Sequence, residues 1–293
     1  MQLPEIECLC QAIVPGSGSV DLTALGAGLI SETYRVVRDG VAYTLKVAAE
    51  HRPGLRLDLA WEVRVLELAG SVDLAPRLVY FDPDNAVRLT RWAEGRSWVS
   101  HEAAAAANLE KIAALLRRVH DLAVPMPARR VTPLQWIKIY DDALSRSTAA
   151  PSDPVLRSAA LGRAEALLEL PRVVGAVCHS DLHAMNLIQQ DDSLILLDWE
   201  YAHVTDPFWD LAGWCANNDF GVEVQWSLLT HYLGNAPISS QWPRFRLLLA
   251  LYDYVCLLWS QLYLSVRCAE ANGVAERARL LDARLRVAAH YAA

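Results

Sequence analysis

The chain has 293 residues, 53% of them apolar and 21% charged, enough to bury a sizeable core and too apolar for a disordered segment. A net charge of −7, with Lys and Arg scattered, argues against a nucleic-acid or anionic-membrane partner. Six cysteines without a C-x-x-C pair read as free thiols, and Glu5 and Glu7 stand where an export signal needs basic then apolar residues, so a cytoplasmic protein is expected.

In chain order, residues 33–38 and 41–48 alternate as strands around Asp39-Gly40, a two-residue hairpin signal. Residues 58–69 follow a helical period, with Asp58 as N-cap and Gly70 in the position just past the end. Strands are expected at 77–81 and 86–91, separated by the turn Asp82-Pro83-Asp84-Asn85. From about residue 100 the pattern becomes helical. Ser100 caps a helix through His120, residues 123–134 are irregular, and helices follow at 135–146 and 154–170. A short β-type run, 173–178, precedes a polar loop, and helices return at 207–217, 222–233, 243–268 and 274–290. Residues 247–266 are long enough to span a bilayer, but Asp253, Ser260 and Gln261 interrupt them, so a buried helix is expected.

This order predicts an α+β chain: a β-rich part over 1–93 and a helical part over 94–293, a two-lobed arrangement with its joint near Arg91 to Arg96. Nucleotides often bind at such joints, which brings Arg91 and Trp92 among the nucleotide-binding candidates.

The most informative stretch is His179-Ser-Asp181-Leu-His-Ala-Met-Asn186, followed by a strand that ends at Asp198. Two carboxylates and an amide in this pattern suit a magnesium-dependent phosphoryl transfer. Asp181 orients the attacking hydroxyl, while Asn186 and Asp198 offer the hard oxygen ligands that Mg2+ prefers. His179 is read as a loop-orienting residue and His120 as a core histidine. Asp206-Pro207 reads as a cap and first helical residue, with Asp210 holding the loop backbone.

Two charges stand among apolar neighbours: Lys46 in its strand and Glu62 on its helix. Each is explained if they pair, leaving Lys46 to orient phosphates. Upstream, Gly26, Gly28 and Ser31 lie between strand candidates, where glycines let backbone N–H groups approach phosphate oxygens. No Gly-Lys-Ser/Thr occurs there, which excludes a Walker A loop at that position.

Together, Gly26/Gly28, Lys46, Glu62, the loop from His179 to Asn186, and Asp198-Trp-Glu-Tyr-Ala resemble the aminoglycoside phosphotransferase and choline kinase superfamily over residues 22–268. Asp198-Trp-Glu-Tyr-Ala and the following D-P-x-x-D-L-A are most similar to bacterial choline/ethanolamine and thiamine kinases. The resemblance implies a protein-kinase-like fold with ATP and Mg2+. The commoner H-G-D of the family is H-S-D here, and the third glycine of its loop is absent.

For the acceptor pocket the candidates are Glu200, Trp214, Asn218, Asp219, Tyr252, Trp259 and Tyr263. Trp259 and Tyr263 are four apart on one helix, with Tyr252 seven before, a stripe that either boxes a quaternary ammonium by cation–π attraction or packs as core. Glu200 and Asp219 add negative charge. The acceptor is therefore read as a small cationic alcohol: choline, ethanolamine or thiamine. An aminoglycoside or sugar acceptor is the alternative, and a non-catalytic nucleotide-binding module a further one. The oligomeric state is not legible in the chain.

Overall fold

A computed structural model describes residues 3–27, 31–48, 57–148, 152–266 and 272–290. They divide into two compact units, one of residues 1–96 with 188–200 and the other of 97–187 with 201–293. The first unit thus extends to Arg96 and takes back a segment that chain order alone assigned to the helical part.

In the first unit, helix α1 (Leu3–Ile13) precedes strands β1 (Val20–Ala27), β2 (Ser31–Arg38) and β3 (Val41–Ala48), then helix α2 (Leu59–Ser71) and strands β4 (Leu78–Asp82) and β5 (Val87–Arg91). The sheet order is β1-β2-β3-β5-β4, antiparallel throughout. The β2–β3 hairpin turns at Asp39 and Gly40, both with positive φ (50° and 76°), as a two-residue turn matched to the strand twist requires.

Alternation then separates two faces. Tyr43, Leu45 and Val47 join Val87 and Leu89 in one apolar cluster with Ile6 and Cys10 of α1. Their neighbours Lys46 and Arg88 point to the other face and stand directly opposite each other in the β3–β5 ladder. Helix α1 was not expected from the sequence, although Ile6 and Cys10 have helical spacing and are both fully buried.

Asp58 caps α2 as expected, accepting from Trp61 N over 2.9 Å. Gly70, however, is a buried residue inside α2 and not its terminator: an added Cβ would lie 3.3 Å from Pro76 O, so glycine permits the following chain to pass closely.

Strand β6 (Arg96–Ser97) begins a small three-stranded sheet, and the second unit opens with helices α3 (Ser100–Ala103) and α4 (Ala106–His120). The single helix expected from Ser100 to His120 is therefore broken at Ala104–Ala105, with Glu102 accepting from Val99 N at 3.0 Å. Helices α5 (Pro133–Leu144) and α6 (Pro154–Glu169) follow, capped by Thr132 and Asp153. Strand β7 (Ala176–Cys178) leads into the polar loop. Strands β8 (Leu187–Gln190) and β9 (Ser193–Leu196) complete the small sheet in the order β6-β8-β9. Leu196 N donates to Leu74 O over 2.9 Å, which ties this segment to the first unit. Gly95, at φ 126°, must be glycine, because a Cβ would fall 2.2 Å from Gln189 O.

Strand β10 (His203–Thr205), also not expected, pairs antiparallel with β7. Helices α7 (Phe208–Asn217), α8 (Val222–Leu233), α9 (Gln241–Val266) and α10 (Asn272–His290) close the unit. α7 starts one residue later than its sequence signal suggests, with Asp206 Oδ1 still accepting from Phe208 N at 2.9 Å. Among the described residues α9 is the one helix long and apolar enough to cross a membrane. It packs against α5, α6, α7 and α10, burying Phe245, Leu248, Leu251 and Leu258. A mainly antiparallel sheet followed by a mainly helical part is the expected α+β class.

Candidate active site

The loop after β7 is held from beneath by one buried carboxylate. Asp210, in the first turn of α7, accepts from His179 N at 2.8 Å and Ser180 N at 2.7 Å. Its own support is His120, whose Nε2 lies 3.1 Å from Asp210 Oδ2 and whose Nδ1 lies 2.8 Å from the Tyr232 hydroxyl. Burial pushes the Asp210 carboxyl up, but His120, His179 and the Ser180 amide outweigh it and hold the group below the usual carboxylate range. His120 is thus a buttress of the loop, a role its sequence context did not reveal. His120, Asp210 and the Cys178 thiol are close enough together to hold a metal ion. Their atoms are already engaged, however, Cys178 Sγ donating to Asp206 O at 3.6 Å.

His179 Nδ1 accepts from Asp181 N over 3.3 Å, so three consecutive backbone amides are pinned by side chains. Asp181 itself is about one-third exposed. Asn186, at the end of a 3-10 turn, uses Nδ2 to reach Asp181 O and Asp181 Oδ2, both at 3.0 Å. With its amide hydrogens committed, Asn186 presents Oδ1 on the other side.

The second group of charges belongs to the first unit. Asp198 follows β9 in a left-handed conformation, φ 63°, and its Oδ1 is 2.5 Å from Lys46 Nζ. Trp199, buried beside it, anchors the turn by donating to Leu196 O at 3.0 Å. Glu200 Oε2 lies 4.0 Å from Lys46 Nζ and 3.8 Å from Arg88 Nη2, and accepts from Ser31 Oγ at 3.4 Å. Burial pulls the Lys46 ammonium down, yet Asp198 and Glu200 outweigh it and the net direction is up. Burial, with Asp198 beside it, pushes the Glu200 carboxyl up.

The expected Lys46–Glu62 pair needs correction. Glu62 Oε1 takes Arg88 Nε at 3.0 Å, with both side chains 5% exposed, and the ion pair on Lys46 is made by Asp198. Arg88 carried no signal in the sequence because its facing depends on strand pairing. Within its own unit each of Asp198 and Asn186 offers a hard oxygen of the kind Mg2+ prefers, and Lys46 beside Asp198 suits an anionic phosphate.

Of the other nucleotide candidates, Gly26 lies in β1 with open space at its Cβ position, and Gly28 is outside the described residues. Arg91 stacks 4.9 Å above the Tyr43 ring, and the Trp92 ring lies under Arg35 at 5.1 Å while the Trp92 backbone N–H donates to Ala42 O.

The acceptor candidates scatter. Trp214 is fully buried against Trp98, and Tyr252 is core, its hydroxyl accepting from Asn217 Nδ2 at 3.3 Å. Asn218 bonds Trp214 O. Asp219 is engaged by Arg277 at 3.3 Å and Arg284 at 2.7 Å, and Glu200 lies against Lys46 and Arg88. Trp259 and Tyr263 do stack, centroids 5.2 Å apart, and only they retain the expected aromatic pairing. Trp259 Nε1 donates to the Tyr201 hydroxyl at 3.2 Å, and Tyr201 lies 6.0 Å from Trp136. Tyr201 and Trp136 were not candidates, since each is far from Trp259 in sequence.

The model of the phosphotransferase enzyme family matches residues 21–248. A curated relative, protein LicA of Haemophilus influenzae, is 49% identical over 35 residues, which span 12% of this chain and only 13% of that protein. A choline/ethanolamine kinase family protein from Mesorhizobium loti superposes with a TM-score of 0.77 at 22% identity, covering 98% of this chain and 94% of that one. The aminoglycoside phosphotransferase APH(4)-Ia, as a thermostable mutant with AMP-PNP and hygromycin B, gives 0.68 at 17% identity, covering 99% of each chain. Such likenesses show a shared protein-kinase-like fold. With more than half of its length matched by the family model, the chain belongs to the phosphotransferase enzyme family.

Proposed function

We propose that the chain is an ATP- and Mg2+-dependent kinase that moves the γ-phosphoryl group to the hydroxyl of a small cationic alcohol: choline, ethanolamine or thiamine. Asp181 orients that hydroxyl and receives its proton as transfer proceeds. Lys46 holds the α- and β-phosphates, Asn186 and Asp198 hold the metal, and Gly26, Gly28, Ser31, Arg91 and Trp92 serve the nucleotide. Mg2+, when bound, neutralises charge on the phosphates.

The observation that carries the acceptor class is the Trp259–Tyr263 stack with Tyr201 at its edge, in the same unit as Asp181. Aromatic faces attract a quaternary ammonium by cation–π contact. The aminoglycoside reading calls for an acidic pocket to bind a polycation. It is less well supported, because Asp219 and Asp253 are both paired with Arg284.

The test is ATP consumption with Mg2+ across choline, ethanolamine, thiamine, aminoglycosides and sugars, using wild type and Asp181→Asn. Turnover confined to the cationic alcohols and lost in the variant supports the reading. Turnover with aminoglycosides alone, or undiminished in Asp181→Asn, defeats it.

A further inference from the structure

Ser180 occupies a backbone position that suits glycine. Its φ is 68°, a left-handed conformation that a Cβ resists. Its N–H bonds Asp210 Oδ1, which a glycine would do equally well. What serine alone supplies is Oγ, 3.1 Å from His203 Nδ1.

His203 is fully buried, and its partners define its tautomer. Trp136 Nε1 can only donate, and it reaches His203 Nε2 at 3.3 Å, so Nε2 carries the lone pair and Nδ1 the proton. That proton faces Tyr201 O at 2.9 Å and Ser180 Oγ. Burial keeps the ring neutral, with its pKa held down to about 4. Tyr201 in turn carries the hydroxyl that accepts the Trp259 indole N–H. A continuous chain of hydrogen bonds therefore runs from the residue before Asp181 to Trp136, Tyr201 and Trp259.

We propose that Ser180 and His203 are positioning residues that lock the turn carrying Asp181 to the aromatic group of Trp136, Tyr201 and Trp259. The inference rests on Asp181 orienting the acceptor and on that aromatic group receiving it. The strained backbone of Ser180 and its hydroxyl act together: the left-handed turn aims Oγ at His203, and His203 sets the height of the turn against the aromatic rings. Asp181 and the acceptor walls then share one rigid frame, and the acceptor hydroxyl meets the carboxylate without a search.

The experiment compares Ser180→Gly, His203→Asn and His203→Gln with wild type and Asp181→Asn. Each is assayed for kcat and for KM of Mg·ATP, with choline as acceptor and with water alone, so that the result does not hang on the acceptor. Thermal midpoints are recorded in parallel. Ser180→Gly relieves the strained φ while removing Oγ, so its Tm stays within about 2 °C of wild type. Its kcat falls roughly tenfold or more, because a small misplacement of the orienting group is expensive, while KM for Mg·ATP changes less than about twofold. In His203→Asn the amide nitrogen takes the Nδ1 position and restores kcat to within about threefold; His203→Gln reaches the Nε2 position instead and resembles Ser180→Gly.

Ser180→Gly with kcat within about twofold of wild type overturns the proposal, as do equal losses in the Asn and Gln variants. Undiminished turnover in Asp181→Asn instead sinks the reading of Asp181 on which the proposal stands.

Discussion

Arg88 stands directly opposite Lys46 on the neighbouring strand, and its Nε lies 3.0 Å from the carboxylate of Glu62. Two like charges facing each other on a ladder repel. Here three carboxylates separate them: Glu62 takes Arg88, Asp198 takes Lys46, and Glu200 lies within 4.0 Å of both cations.

Removing one member of this group leaves a buried charge behind. Arg88→Leu is expected to destabilise the fold by about 3–5 kcal/mol, and Glu62→Leu/Arg88→Leu to recover most of that loss. Urea unfolding midpoints measure both. A double variant as unstable as the single one would show that the pair does more than neutralise itself.

Lys46→Ala should lower kcat/KM for Mg·ATP by about 10²–10³-fold, the loss of one fixed donor on a charged group. Nucleotide affinity, read by titration with ADP, falls much less, since a phosphate interaction strengthened during transfer acts mainly on kcat. Equal losses in both quantities would assign Lys46 to ground-state binding alone.

His203 makes acid stability testable. Burial holds its folded pKa to about 4 against a free value of 6.5; the backbone carbonyls of Tyr201 and Val131, which favour the protonated ring, and the charge of Asp210 pull upward, and Arg129 pushes downward. Between those values the unfolded chain binds a proton that the folded chain refuses. Stability from the neutral ring is therefore complete above about pH 6.5 and drains away as pH falls toward 4. The total is about 3 kcal/mol. The stability difference between wild type and His203→Asn, from urea unfolding at pH 7 and pH 4, should shift by that amount in favour of the variant. A pH-independent difference refutes it.

Trp259→Ala removes one aromatic face. KM for choline should rise about 3–30-fold, with KM for Mg·ATP within about twofold, in line with one cation–π contact. A parallel rise in both would mark Trp259 as packing, consistent with its indole hydrogen bond to Tyr201.

Much of the fold was legible because its signals are local. Period-two alternation, the Asp39-Gly40 turn, the Asp58 cap and the period of α8 (Val222–Leu233) depend on neighbours within a few residues. The closeness of Asp181 and Asn186 was legible for the same reason: they are five residues apart and hydrogen-bond to each other. The failures are instructive in the same terms. The break at Ala104–Ala105 falls in an alanine-rich run with no local stop signal, and Gly70 looks like a terminator until the passing chain at Pro76 is known.

By itself, then, the amino-acid order determined the class of the fold, the identity of the polar loop and the family to which the chain belongs. Tertiary structure alone decided which charge meets which, because a strand's register and a helix's placement bring together residues that no spacing connects. Arg88 reaches Glu62, His120 supports Asp210, and His203 bridges Ser180 and Trp136 only after the chain has folded. Burial supplies the reason these pairings matter: away from water, each polar group must find its partner inside the protein, and the partner it finds sets its charge and its aim.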